Sequence, residues 1–188
     1  MAILAVGLIL FLGLHLVPAL PDLRVALVRR LGEPRYKGAF SLLSLLGLSL
    51  IITGYARSAP GARLFAPSPA AIAIAPYAMT LAFVLLAAAN LRGHIRHSLR
   101  HPMLFGIAIW ASVHLLANGD TRGTVLFGSF LLYALLDLVS VVARGATKRF
   151  APSARHDLFA VAAGVTAAMG VMALHRFLFG VAVVAWGG

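Results

Sequence analysis

Apolar residues in this 188-residue chain fall into blocks of about twenty, separated by short stretches rich in arginine, proline and glycine. A block of that length crosses the hydrocarbon of a bilayer as a helix, which satisfies every backbone polar group within itself. The roughly ten-residue alternation of membrane-barrel strands is missing. The blocks run from about Ala2 to Leu20, Phe40 to Tyr55, Ala70 to Leu91, Met103 to Ala117, Val125 to Ala143, and Leu158 to Phe179 or beyond. Breakers fall between them: Pro18 and Pro21, Gly32 and Pro34, Pro60 to Pro69, Pro102 at a first-turn position, then Gly145 and Pro152. The pattern predicts an all-α integral membrane protein, a bundle of about six transmembrane helices. No block repeats another closely enough to indicate an inverted-repeat transporter.

Composition sharpens this picture. The chain is 61% hydrophobic and 11% charged, with a mean hydropathy of +0.96. Soluble domains are about half apolar and a quarter charged. Residues 1–188 are expected to form a single transmembrane domain, with no room left for a soluble one. The first block has neither a basic leader nor a small-x-small cleavage site, so it is expected to stay as a span. The absence of cysteine excludes disulfides, thiolate catalysis and Cys-ligated metal.

The net charge of +11 lies in the connections rather than in one basic face, which argues against nucleic-acid binding. The loops after blocks one, three and five hold Arg24, Arg29, Arg30, Arg35 and Lys37; Arg92, Arg96 and Arg100; and Arg144, Lys148, Arg149 and Arg155. The other side holds Arg57, Arg63, Arg122 and Arg176. Cytoplasmic loops carry the excess of Lys and Arg, so both termini are expected to face outward.

Polar side chains inside a span are costly and usually face the bundle interior. His114 sits well inside block four, with Trp110 one turn before it and Asn118 one turn after, on one helical face. An imidazole there ligates heme iron or a metal, or is satisfied by one interhelical hydrogen bond; both readings stand on the residues alone. His15 lies in apolar surroundings near the end of block one, where a lipid-interface histidine is the stronger reading. His175 lies near the far end of block six. Asp137 pairs with a cation or orients a histidine. His94, His97 and His101 would share a face if block four continued helically backward, but the interleaved arginines favour an interfacial basic segment over a metal cluster. Neither a nucleophile elbow nor a phosphate-binding loop is present.

Several stretches together resemble the NnrU family, which includes the zeta-carotene isomerase of plants. These are His15-Leu16-Val17-Pro18 with Arg24; Tyr36 with Phe40-Ser41-Leu42-Leu43-Ser44-Leu45; Arg100-His101-Pro102-Met103-Leu104-Phe105-Gly106; Trp110; and His114-Leu115-Leu116-Ala117-Asn118-Gly119-Asp120 with Phe127-Gly128. The resemblance implies a multi-pass protein, for bacterial members in the inner membrane, associated with nitrite and nitric oxide reduction. In the isomerase branch it implies a heme b held by histidines. The implied iron ligands are His114 and His15, with His101 in support and His175 as the next candidate; Trp110 and Asn118 complete the cofactor-binding set. The implied partners are membrane lipid, an electron donor, and either nitric oxide or a lipophilic cis-polyene. The alternative is an assembly or permeation protein without cofactor. At about 1.5 Å of rise per residue, upright helices leave His15 and His114 about 12 Å apart in depth. Pairings of His15 with His101, or of His114 with His175, therefore stay open.

Overall fold

The computed structural model describes residues 1–147 and 150–180. Lys148 and Arg149 of the basic loop, and any continuation of the last span past Gly180, lie outside the described residues.

Six long helices stand where the six apolar blocks are. They are α1 (Ala2–Leu16), which ends in a 3-10 turn at Val17–Ala19, α3 (Glu33–Arg57), α4 (Pro69–Ala88), α6 (Pro102–Asn118), α7 (Thr121–Ala143) and α8 (Ala154–Phe179). Five are long and apolar enough to cross a membrane by themselves. The exception, α6, has 17 residues, about 26 Å of helix, close to the hydrocarbon thickness. Two short helices, α2 (Pro21–Leu31) and α5 (His94–Leu99), belong to the basic connections. Helix α3 starts two turns before its apolar block, because Pro34 at the first turn and Gly32 at φ +79° set its start ahead of the oily run.

The helices form an open row in the order α3, α1, α7, α6, α4, α8. Among the described residues, α3 and α8 share no extensive contact that would close a ring. Large apolar side chains point outward along the whole row; Phe177 is 84% exposed and Leu42 71%. In water that would be a liability, whereas against acyl chains it is the expected exterior.

With no hydrophobic drive between helices in lipid, close packing holds the row together. Small residues mark the tight seams. A Cβ added at Gly7 of α1 would come 2.7 Å from the Ile51 amide nitrogen of α3. One at Gly47 of α3 would come 3.0 Å from Phe11 of α1, and one at Gly54 would run into the Leu4 backbone. Gly164 of α8 meets Val84 of α4, and Gly106 of α6 meets the Ala82 carbonyl of α4 at 2.9 Å, in the same way.

The two ends of the row differ. At one end, Arg144 Nη1 donates to the Pro18 carbonyl at 3.2 Å, Arg24 lies over the Tyr36 ring, and the Ser153 amide donates to the Arg92 carbonyl. The basic loops thus gather there. The other end is closed by the Asn118-Gly119-Asp120 turn. Gly119 takes φ +74°, its carbonyl accepts from the Leu64 and Phe65 amides, and the Asp120 carboxylate caps α7 by accepting from the Gly123 amide at 2.7 Å. Arg122 lies over the Tyr55 ring and donates to the Tyr55 and Ser58 carbonyls at the end of α3.

Candidate functional site

Two histidines in different helices adopt the same local arrangement. In α6, His114 Nδ1 donates to the Trp110 carbonyl at 2.9 Å; in α1, His15 Nδ1 donates to the Phe11 carbonyl at 2.7 Å. A carbonyl only accepts, so in each ring Nδ1 carries the proton and Nε2 is left with a lone pair in the neutral form. An aromatic residue four positions earlier packs on each ring: Trp110 at 5.4 Å from His114, Phe11 stacked at 4.2 Å on His15. The i, i+4 geometry of a helix brings about both the hydrogen bond and the ring contact.

Aromatic rings link the two imidazoles across three helices. His114 lies 4.9 Å from Phe127 of α7, and Trp110 lies 5.2 Å from Phe127 and 5.3 Å from Phe130. Phe130 in turn lies 6.0 Å from Phe11, and His15 is bordered by Phe40 of α3 at 5.2 Å and Tyr133 of α7 at 6.4 Å. His15 is therefore turned into the junction of α1, α3 and α7. The lipid-interface reading of this residue gives way, because Phe11 and Phe40 draw the ring between helices.

Trp110, His114 and Asn118 do share a face: Asn118 Nδ2 donates to the His114 carbonyl at 2.7 Å, continuing the ladder one turn further. His175 of α8 packs on Phe179 at 4.7 Å and lies within electrostatic reach of His114. His15 and His114 are set at different depths. Their α7 neighbours Tyr133 and Phe127 are six residues, about 9 Å, apart along the helix. Two axial ligands of one iron need their nitrogens about 4 Å apart, at about 2 Å per bond. With Phe130, Phe11 and Trp110 between them, His15 and His114 are not brought to one iron.

An apolar cleft of about 180 Å³ opens beside Trp110, lined by Ala82, Phe83, Leu86, Ile107, Trp110 and Phe130. It is smaller than the roughly 300–1,000 Å³ of most ligand pockets. The donor chemistry at His114 fits a heme iron: a neutral ring with its second nitrogen anchored is the form that ligates.

The remaining polar residues go elsewhere. The backbone does not carry α6 back through His94 and His97: α5 ends at Leu99, and Arg100 breaks the path at φ +62°. His94 is held by the Asp157 carboxylate of α8, which accepts from His94 Nδ1 at 2.8 Å and from the His94 and Ile95 amides. His97 stands edge-on to Phe150. No three His or acidic side chains among the described residues converge as a metal site. Asp137 accepts a long hydrogen bond from the Tyr133 hydroxyl at 3.5 Å and has no ion pair among the described residues. The residues that sequence reasoning missed are Phe11 and Phe130. The signal for Phe11 was present, an aromatic residue four positions before a histidine, as Trp110 is before His114; Phe130 left none.

Fold and site together define a small multi-pass helical membrane protein with paired aromatic-imidazole units. The model of the NnrU protein family matches residues 3–183, and the chain belongs to that family. No curated protein and no solved structure is similar enough to match.

Proposed function

We propose that this NnrU-family chain is a heme b-binding protein of the bacterial inner membrane, with His114 as an iron ligand. The observation that supports it most is the bond from His114 Nδ1 to the Trp110 carbonyl, which fixes the tautomer and leaves Nε2 as a base inside the bilayer. Trp110 and Phe127 hold the ring in place. Asn118 ties the next turn to it. Of the other imidazoles, His175 lies within electrostatic reach and is the second ligand we favour. Heme, when bound, supplies an iron with an exchangeable position, suited to nitric oxide or to the conjugated bonds of a cis-polyene. The apolar cleft excludes water and offers a lipophilic substrate entry from the bilayer, and an electron donor would approach the exposed basic end.

A reduced-minus-oxidised absorption spectrum of the purified protein tests this. Wild type is expected to show a Soret band and a sharp reduced alpha band, both lost in His114→Ala. Full heme content in His114→Ala would remove the ligand assignment. A Soret band unmoved by nitric oxide would count against an accessible iron, and product analysis with a cis-polyene tests isomerisation separately. The second reading, a cofactor-free assembly or permeation protein, is favoured by the small size of the cleft. Spectral silence after heme supplementation would select it.

A further inference from the structure

At the basic end of the row, a second cleft of about 90 Å³ opens between the start of α6 and the end of α7. Its walls are apolar, with Leu99, Phe105, Leu138 and Val141, and its polar lining includes Arg100 and His101. The level is that of lipid headgroups, because α6 enters the bilayer here and α7 leaves it.

Arg100 is unusual on two counts. It is the one non-glycine residue at positive φ among the described residues, at φ +62° and ψ −46°. A side chain with a Cβ adopts that conformation at a cost that glycine would escape. Its backbone makes the tight turn from α5 into α6, with the His101 amide donating to the Leu99 carbonyl at 2.6 Å, while its guanidinium forms no ion pair or hydrogen bond with the described residues. Glycine would make that turn at lower cost, so an arginine there points outward, to something the side chain meets.

The surroundings narrow down what that is. Asp137 is the one carboxylate facing His101; Arg144, just past α7 and engaged with Ser140 and the Pro18 carbonyl, puts a second guanidinium within electrostatic reach beside Arg100. Burial holds the His101 imidazole below its usual range, so it is a hydrogen-bonding group rather than a fixed charge. The rim therefore favours an anion, and the first turn of α6 adds the positive end of its dipole. The walls favour a hydrocarbon chain. A molecule with both parts, at this depth, is an anionic phospholipid.

We propose that this cleft binds an anionic phospholipid, the headgroup phosphate on Arg100 and one acyl chain along Leu99, Phe105, Leu138 and Val141. The site gives the Arg100-His101-Pro102 run a role independent of the heme reading.

Full-length protein in neutral detergent, titrated with phosphatidylglycerol or phosphatidylcholine and read by native mass spectrometry, tests it. Wild type is expected to hold one phosphatidylglycerol in clear preference to phosphatidylcholine. Arg100→Gly and Arg100→Gln weaken phosphatidylglycerol about tenfold, the scale of one charge-assisted phosphate contact. Arg100→Lys keeps most of the binding, and Arg30→Ala on α2, elsewhere among the basic connections, leaves it unchanged. Arg100→Gly melts at or above the wild-type temperature, since glycine relieves the backbone, which separates lost binding from lost folding. Wild-type affinity in both Arg100→Gly and Arg100→Gln would overturn the proposal. So would equal binding of phosphatidylcholine, or displacement of the lipid by inorganic phosphate at equal concentration, which would mark a free-phosphate site.

Discussion

Helix α1 meets its two neighbours in opposite ways. Against α3 it presents Gly7 and receives Gly47 and Gly54, and the backbones come so close that no Cβ fits at Gly7 or Gly54 and one at Gly47 would crowd Phe11. Against α7 it presents Phe11 and His15, and the rings of Phe130 and Tyr133 hold the two backbones apart. The first seam is a fastening. The second is filled by aromatic rings and one imidazole rather than by backbone contact. In a bilayer, where burial of apolar surface between helices yields little, glycine contact on one side lets a row of helices tolerate a looser, polar-bearing seam on the other.

The largest effect is expected at the fastening. Gly54→Leu places a branched side chain inside the Leu4 backbone and should cost more than about 3 kcal/mol, beyond the usual range for overpacking. The measurement is the yield of monodisperse protein in detergent. Full recovery with an unchanged melting temperature would show that the α1–α3 seam is no tighter than the α1–α7 seam, and the contrast would fail.

At the aromatic side, Trp110→Ala should cost about 2 kcal/mol, less than a fully buried tryptophan because the ring also borders the open cleft. Thermal melts should show a lowered transition but an assembled protein; loss of assembly would mean that the aromatic α6–α7 contact, which adjoins the α1–α7 seam through Phe130, is a fastening as well. Asp120→Ala removes the cap of α7 and should cost about 1 kcal/mol. Destabilisation of that size would confirm that the Asn-Gly-Asp turn holds the end of the row independently of any ligand. Ser68→Ala removes a longer capping bond, 3.3 Å to the Ala71 amide, and should lower stability by only about 0.5 kcal/mol. A loss as large as that of Asp120→Ala would show that bond length at a cap is a poor guide here.

Much of the site was legible because its units are local. An aromatic residue four positions before a histidine, within a continuous helix, gives the carbonyl bond and the ring contact without reference to the rest of the fold. The Trp110, His114, Asn118 face could be read the same way. Three features could not. His15 looked lipid-facing because Phe40 and Tyr133, which border it, are 25 and 118 residues away. The partner of His94 is Asp157, on a helix 63 residues later. The break at Arg100 was hidden because nothing in the residue type announces positive φ; arginine is an ordinary helix former.

By itself the sequence determined six helices, their approximate ends, the gathering of basic loops and the shared face of Trp110, His114 and Asn118. All of these follow from interactions within a few residues or from the bilayer acting on each block separately. Only the tertiary structure decided which helices touch, that α3 and α8 share no extensive contact among the described residues, and that His15 and His114 stand at different depths with phenylalanine rings between them. The physical reason is that lipid accepts every apolar face equally. Hydrophobicity therefore puts the helices in the membrane but leaves their neighbours to be chosen by fit, by which glycine meets which backbone and which ring fills which gap.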